Sequence, residues 1–239
     1  MTVLLGTATR LRLARLLLIT DLRHEQADLV DFVEEALAGG VDVVQLRDPA
    51  ADPAELTDGF RSVKKASARH RALLAAYDAP EVMSDAGADL LQLSERGTAP
   101  SEARRGLPEH ALIGRSCHSR REVEAALADP DVDYLMIGPV MSALHLGGGV
   151  DLVSYASARA PQQDPDSKPW FAVGGITSAN VDDVLDAGAR RVAVSSAITL
   201  ASEPAAAAAT LKQRLVSAWN DDPGMAAVTF GAFAPPAEH

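Results

Sequence analysis

The sequence predicts an α/β protein built as a single (β/α)8 TIM barrel, and three observations carry that expectation. One junction recurs along the chain: AGGVDVV at 38–44, AGADLLQL at 86–93, DVDYLMIG at 131–138 and AGARRVAV at 187–194. Each reads as a helix end, a polar residue and a short buried strand, the rhythm of alternating β and α units over a parallel sheet. Eight such strand–helix units can be counted. The 239 residues contain no linker that would divide them into two folded domains, and the length is normal for one barrel. An open doubly wound sheet is the alternative, but no glycine-rich dinucleotide fingerprint follows the first strand.

Taken in order, residues 1–14 read as an N-terminal extension and 15–220 as the barrel. Leu16–Thr20 is the first strand, ending at Asp21. Residues 25–38 place Leu29, Phe32, Val33, Ala36 and Leu37 at helical spacing, and Gly39-Gly40 stops that helix. VDVVQLRD opens the second strand, followed by a helix over 53–69 and a third strand, Ala72–Ala76. A short helix spans Pro80–Ala86, then come strands at Asp89–Leu93 and Leu112–Ser116, a helix at Arg121–Leu127 and a strand at Tyr134–Ile137. A helix over 151–159 and the polar loop PQQDPDSKP lead to the strand Trp170–Val173. Its end, Gly174-Gly175, lets bare backbone approach a ligand. Thr177 or Ser178 is the expected cap of the next helix, which carries Val181, Val184, Leu185 and Ala187 and ends at Gly188. Val192–Val194 ends at Ser195-Ser196, an alanine-rich helix covers 203–219, and 221–239 reads as a loose C-terminal tail.

Composition narrows the function classes. A net charge of −11 argues against nucleic acid as a partner, so an anionic substrate needs a local cluster of cations. The single cysteine, Cys117, excludes an internal disulfide and suits a reducing cytoplasm. The apolar run Val3–Leu5 is too short for a signal peptide or membrane span. A soluble, cytoplasmic protein is expected, with homo-oligomerisation left open.

Chemistry in such a barrel belongs at the C-terminal ends of the strands. Those ends offer Thr20 and Asp21; Gln45, Arg47 and Asp48; Tyr77 and Asp78; Gln92, Glu95 and Arg96; Ser116, Cys117 and His118; then Gly138-Pro139. Arg47 either forks onto a phosphate or pyrophosphate or pairs with Asp48 or Asp78. Asp78 either holds Mg2+ or serves as a turn residue before Pro80. Ser116 is a hydrogen-bond donor for an anion. Gly174, Gly175, Ser195 and Ser196 form a phosphate cradle, or simply two tight turns that need small residues. Cys117 and His118 are sequence neighbours whose side chains point to opposite faces, so they make no nucleophilic dyad; the cysteine reads as buried and His118 as the opening of a helix. Gly147-Gly148-Gly149 reads as a mobile loop, with His145 in it lacking an assigned partner.

Together these landmarks resemble the thiamine phosphate synthase family and its close relative, the TenI family, over roughly residues 14–220. The carriers are ITD at 19–21, AGGVDVVQLRD at 38–48, AGADLLQL at 86–93, LIGRSCHS at 112–119, DVDYLMIGPV at 131–140, KPWFAVGGI at 168–176 and AGARRVAVSSAI at 187–198. The resemblance implies a transferase that joins an aminopyrimidine methyl pyrophosphate to a thiazole phosphate, giving thiamine phosphate and pyrophosphate with the help of Mg2+. By the same resemblance Arg47 and Ser116 contact pyrophosphate as the catalytic pair, with Gln45 and Tyr77 beside them on that substrate. Asp78 binds the metal, with Glu95 as a second candidate ligand. Gly174, Gly175, Ser195 and Ser196 hold the thiazole phosphate.

The sequence also departs from the family. Where the family has a lysine after QLRD this chain has Pro49, and Gly97 stands where the family has a second metal aspartate. The family's asparagine–aspartate pair is Tyr77-Asp78, and its histidine–leucine–glycine is Gln92-Leu93-Ser94. The stretch MSALHLGGG lacks the catalytic lysine expected after GPV. Losing each charged contact to a leaving group costs ~2–4 kcal/mol of transition-state stabilisation. A synthase of reduced turnover is therefore expected, with Arg96, Glu95 or a partner subunit as the candidates for replacing the lost groups. Two alternatives stand beside it: a TenI-like thiazole tautomerase, although Pro139 occupies the position of that family's catalytic histidine, and a non-catalytic binder of thiazole phosphate or thiamine phosphate.

Overall fold

The computed structural model describes residues 5–141 and 148–231. A short helix α1 (Thr7–Leu13) precedes the first unit, β1 (Leu16–Thr20) with α2 (Leu29–Ala38). The next units are β2 (Val43–Leu46) with α3 (Pro53–His70), then β3 (Leu73–Tyr77) with a 3-10 turn and α4 (Met83–Ala86). They are followed by β4 (Leu90–Leu93) with α5 (Pro100–Arg104), β5 (Leu112–Cys117) with α6 (Arg120–Ala128), and β6 (Tyr134–Ile137) with α7 (Gly149–Arg159). Last come β7 (Trp170–Val173) with α8 (Val181–Asp186), then β8 (Val192–Val194) with α9 (Ser196–Thr199), α10 (Pro204–Asn220) and α11 (Met225–Gly231).

All eight strands are parallel and pair in sequence order, and β8 closes onto β1 through Leu16 opposite Val192 and Leu18 opposite Val194. That pairing leaves no open edge, so the chain is a closed (β/α)8 barrel. Alternation along each strand divides the core in two. Leu17, Val43, Leu73, Leu90, Tyr134, Phe171 and Ala193 fill the barrel interior, with Tyr134 edge-on to Phe171. Their neighbours, such as Leu18, Val44, Leu74 and Leu91, point outward under the helices.

The polar residue in the recurring junction has a structural task. Asp42, just before β2, accepts the N–H groups of Arg15 and Leu16 at 2.7 and 2.9 Å. Asp89, just before β4, accepts from Leu74 at 2.9 Å, and Asp133, just before β6, from Ile113 at 2.7 Å. Each carboxylate thus satisfies main-chain donors where the preceding strand begins, groups that burial would otherwise leave unpaired. Before β8 the matching position is Arg191, not an acid.

Four expectations change. The N-terminal extension carries α1, whose Leu11 is buried in the barrel interior and plugs its base. The loose tail expected over 221–239 contains α11, where Met225 and Val228 pack on Trp219, since this apolar pair can be removed from water only against the end of α10. The helix expected over 25–38 begins at Leu29, because Ala27 sits at a left-handed φ of 53° and Asp28 turns to grip Arg23 at 2.5 Å. Neither Thr177 nor Ser178 caps α8. Asn180 precedes it, and its side chain is spent on the loop before the helix, accepting from the Thr177 N–H and donating to Gly175 O.

Candidate active site at the barrel mouth

Arg47 follows β2 and Tyr77 ends β3, which places both at the rim. The guanidinium carbon lies 4.2 Å from the centre of the Tyr77 ring, a cation–π stack that aims the fork without neutralising it. Arg47 makes no ion pair with Asp48 or Asp78. Asp48 accepts instead from the main-chain N–H groups of Leu22 and Ala50. Burial raises the Tyr77 hydroxyl pKa, so the phenol stays protonated beside that cation.

Asp78 adopts a left-handed φ of 46°, a conformation that Asp tolerates better than most residues. Its Oδ1 accepts from the Ser94 N–H at 2.8 Å, whereas Oδ2 takes no hydrogen bond from the described residues. One carboxylate with an oxygen left without a hydrogen bond among the described residues is compatible with Mg2+, which prefers one or two carboxylates plus substrate oxygens. No group of three or more His, Cys, Asp or Glu side chains that could hold a metal occurs among the described residues.

Ser116, on β5, lies beneath the rim and accepts from Gln92 Nε2 at 3.0 Å. That bond occupies a lone pair of the hydroxyl and leaves its proton for an anion above. Deeper still, both side-chain polar atoms of Gln45, the Oε1 of Gln92 and the Tyr134 hydroxyl are buried without partners. Gly114 separates the last two: a Cβ there would meet Tyr134 Cζ at 2.2 Å and Gln92 Oε1 at 2.3 Å. Unpaired buried polar atoms are costly, and a set of them below a barrel mouth marks where a polar ligand completes the bonding.

At the end of β7, Gly174 and Gly175 hold φ of 103° and 70°. A side chain at Gly174 would strike Pro139 at 2.7 Å, and one at Gly175 would strike Met141 O at 2.4 Å. Asn180 Nδ2 holds Gly175 O at 2.9 Å, fixing the loop after β7. Gly175, Ser195 and Ser196 are exposed side by side at the ends of β7 and β8, a place where barrels commonly bind phosphate.

Other mouth residues are otherwise engaged. Glu95 faces His118 Nε2 at 3.2 Å, while His118 Nδ1 meets Gly138 O. A main-chain hydrogen bond and then His118 hold the Glu95 carboxyl below its ordinary pKa. Arg96 is 92% exposed and, among the described residues, reaches only Glu95, at 3.7 Å. Cys117 is fully buried, and burial pushes its thiol up to about 12, so it is no nucleophile. His145, Gly147 and most of the stretch after Met141 lie outside the described residues.

A family model described as thiamine monophosphate synthase matches residues 16–198. The chain belongs to that family. Among curated relatives, the thiamine-phosphate synthase of Thermobifida fusca is 45% identical over 213 residues, covering 87% of this chain and 95% of the relative. The thiamine-phosphate synthase of Streptomyces avermitilis is 42% identical over 210 residues, covering 86% and 95%. A solved thiamine phosphate pyrophosphorylase from Pyrococcus furiosus superposes with a TM-score of 0.77 at 26% identity, covering 87% of this chain and 98% of that one.

Pro49, Tyr77, Gln92, Ser94 and Gly97, all departures from the family pattern, fall in the described part of the mouth. Gly97 lies against Asp78, where a Cβ would come 2.3 Å from Asp78 Oδ1. The position at which the resemblance expects a second metal carboxylate is therefore adjacent to Asp78, and here a glycine fills it. Pro49 is exposed two residues beyond Arg47. Sequence reading brought Gln45, Arg47, Tyr77, Asp78, Ser116 and the glycine–serine cradle to the same end of the barrel. It did not single out Tyr134 or Asn180. The parity of Tyr134 on β6, inward and level with Gly114 across the sheet, was the available signal.

Proposed function

We propose that this chain is a thiamine-phosphate synthase that joins an aminopyrimidine methyl pyrophosphate to a thiazole phosphate. The observation that carries the reading is the gathering of two candidate anion-binding groupings at one end of the barrel: Arg47, which pairs with no acid among the described residues, and Ser116 at the ends of β2 and β5, and the cradle of Gly174, Gly175, Ser195 and Ser196 at the ends of β7 and β8. Two substrates that each carry phosphate, and must meet ring to ring between them, fit that layout.

In the reaction the bond from the pyrimidine methylene carbon to oxygen breaks, and its electron pair leaves with pyrophosphate. The thiazole nitrogen lone pair then forms the new carbon–nitrogen bond. Arg47 offsets the charge growing on the leaving group, and the Ser116 proton, freed by Gln92, bonds a departing oxygen. The orphaned atoms of Gln45, Gln92 and Tyr134 pair with the amino group and ring nitrogens of the pyrimidine, fixing its plane. The cradle holds the thiazole phosphate so that its nitrogen is presented in line. Mg2+ held by Asp78 supplies further neutralisation of pyrophosphate when bound, and Glu95, turned to His118, is not placed as its second ligand.

Turnover is lower than in a synthase with the full lysine set, because Pro49 and Gly97 remove a cation and a carboxylate and Arg96 points away. The test is formation of thiamine phosphate by the purified protein with both substrates and Mg2+. Slow but substrate-dependent product formation supports the reading. No product, together with binding of thiazole phosphate alone, would mean a binder and not an enzyme.

A further inference from the structure

We infer that the base of the barrel holds a second anion site, formed by Arg12, Arg15 and Arg191 around Trp219, for a phosphate-sized oxyanion. It lies at the N-terminal end of the strands, opposite the mouth.

The observation begins with the junction rule. Asp42, Asp89 and Asp133 stand just before β2, β4 and β6, and Arg191 stands in the same place before β8. Its side chain is 2% exposed, yet no carboxylate of the described residues lies within ion-pair distance of it. Nη1 donates to Gln162 Oε1 and Nη2 to Arg12 O at 2.6 Å, while Nε is buried without a partner. A buried guanidinium without a counter-charge carries a large desolvation penalty.

Two more cations add to the imbalance. Arg15 lies 4.3 Å from the centre of the Trp219 indole and Arg191 lies 5.0 Å from it. The Arg15 Nε is likewise buried and unpaired. Arg12 donates to Pro165 O and pairs with no described carboxylate. The nearby Asp42 is already committed to the Arg15 and Leu16 N–H groups and to Lys212, and Asp222 to Arg190 and Gln163. Burial first, then the charges of Arg12 and Arg15, push the Arg191 guanidinium down to about 9. Stacking on Trp219 compensates only part of that cost.

Three guanidinium groups with Asp42 as the one nearby described acid, and that acid shared with Lys212, in a chain of net charge −11, form a local reversal of the molecular field. Arg12 and Arg15 are half-buried and open to the outside, so an oxyanion can dock on them with Arg191 behind. Tetrahedral oxyanions fit because guanidinium forks bind their oxygens in pairs.

The test uses the full chain, with inorganic phosphate or sulfate exchanged for chloride at constant ionic strength. Indole emission and the thermal midpoint are followed together. Trp219 contacts the cluster, and because the other tryptophan, Trp170, is joined to Arg191 through Gln162, the titration is repeated with Trp170→Phe so that the emission reports Trp219 alone. The expected result is a saturable emission change with a raised midpoint, in the wild type and in a mouth variant carrying Arg47→Ala and Ser196→Ala. Apparent affinity should fall about tenfold or more in Arg15→Gln, the scale of one lost charged hydrogen bond. Arg15 is the variant of choice because Arg191→Met removes a fully packed side chain; Arg12→Gln is the second, with the same expected loss. A response that disappears in the mouth variant, or that is unchanged in both Arg15→Gln and Arg12→Gln, overturns the proposal. Product formation at the mouth is assayed separately, so failure of this site is distinct from failure of the synthase reading.

Discussion

Arg47 shows how one side chain sets the chemistry of the mouth. Its charge is held over Tyr77 and against no acid of the described residues, which under the proposed function leaves it available to a leaving group. Arg47→Ala is expected to lower kcat/KM by ~2–4 kcal/mol of transition-state stabilisation, tens- to several-hundredfold. The KM for thiazole phosphate, which the proposed function places at the glycine–serine cradle, should stay unchanged; steady-state kinetics with each substrate varied in turn checks both. Cys117 gives the contrasting case. Burial, with the Glu122 carboxylate adding to it, pushes its thiol up to about 12. At pH 8 it should resist thiol reagents in the native protein and react only after denaturation, and Cys117→Ala should retain activity. The sequence located both residues at strand ends, Arg47 after β2 and Cys117 at the end of β5. What separated an available group from an inert one was burial, which depends on the helices packed outside the barrel.

At the level of elements, the helices on the barrel wall are tied by surface contacts that sequence spacing does not reveal. Tyr155 and Arg159 of α7 both bond Glu124 of α6, at 2.7 and 2.6 Å. Arg159 first, then Tyr155, hold the Glu124 carboxyl at about 2, below its ordinary 4.5. Because the folded value is the lower one, the stabilisation is complete above about pH 4.5 and is lost as pH falls through about 2. Glu124→Gln should therefore flatten the dependence of denaturation midpoint on pH across that window, while the contribution near neutrality stays small for so exposed a pair. The loop after β7 shows the opposite balance, where backbone conformation decides. Gly175→Ala places a Cβ 2.4 Å from Met141 O at a φ of 70°. The loop must shift, and binding of thiazole phosphate, measured by calorimetry, should weaken more than stability falls. The glycine pair was visible in the sequence. Its reason was not, since Met141 approaches from another unit.

Across the whole molecule, both chain ends work at the base. Leu11 of α1 enters the barrel interior, and α11 covers the end of α10 through Met225 and Val228. Leu11→Ala should destabilise the protein by about 2–5 kcal/mol, the usual range for a buried leucine. Catalysis at the opposite mouth should persist; chemical denaturation and activity assays on one preparation separate the two. These end segments escaped sequence reading because each is too short to show helical periodicity and gains its order only from the barrel it packs on.

By itself the sequence determined the closed barrel, its strand order and the set of small and charged residues at the strand ends, because period-two burial and the repeated helix–polar–strand junction are local patterns. Tertiary structure decided which of those residues are free to act: Arg47 and Asp78 remain open, whereas Glu95 is spent on His118 and Arg96 points to solvent. It also decided which polar atoms are left wanting, from Gln45 and Tyr134 above to Arg191 below. The physical reason is that periodicity fixes which way a side chain faces, while its partners come from strands and loops distant in sequence and are settled only when the barrel closes.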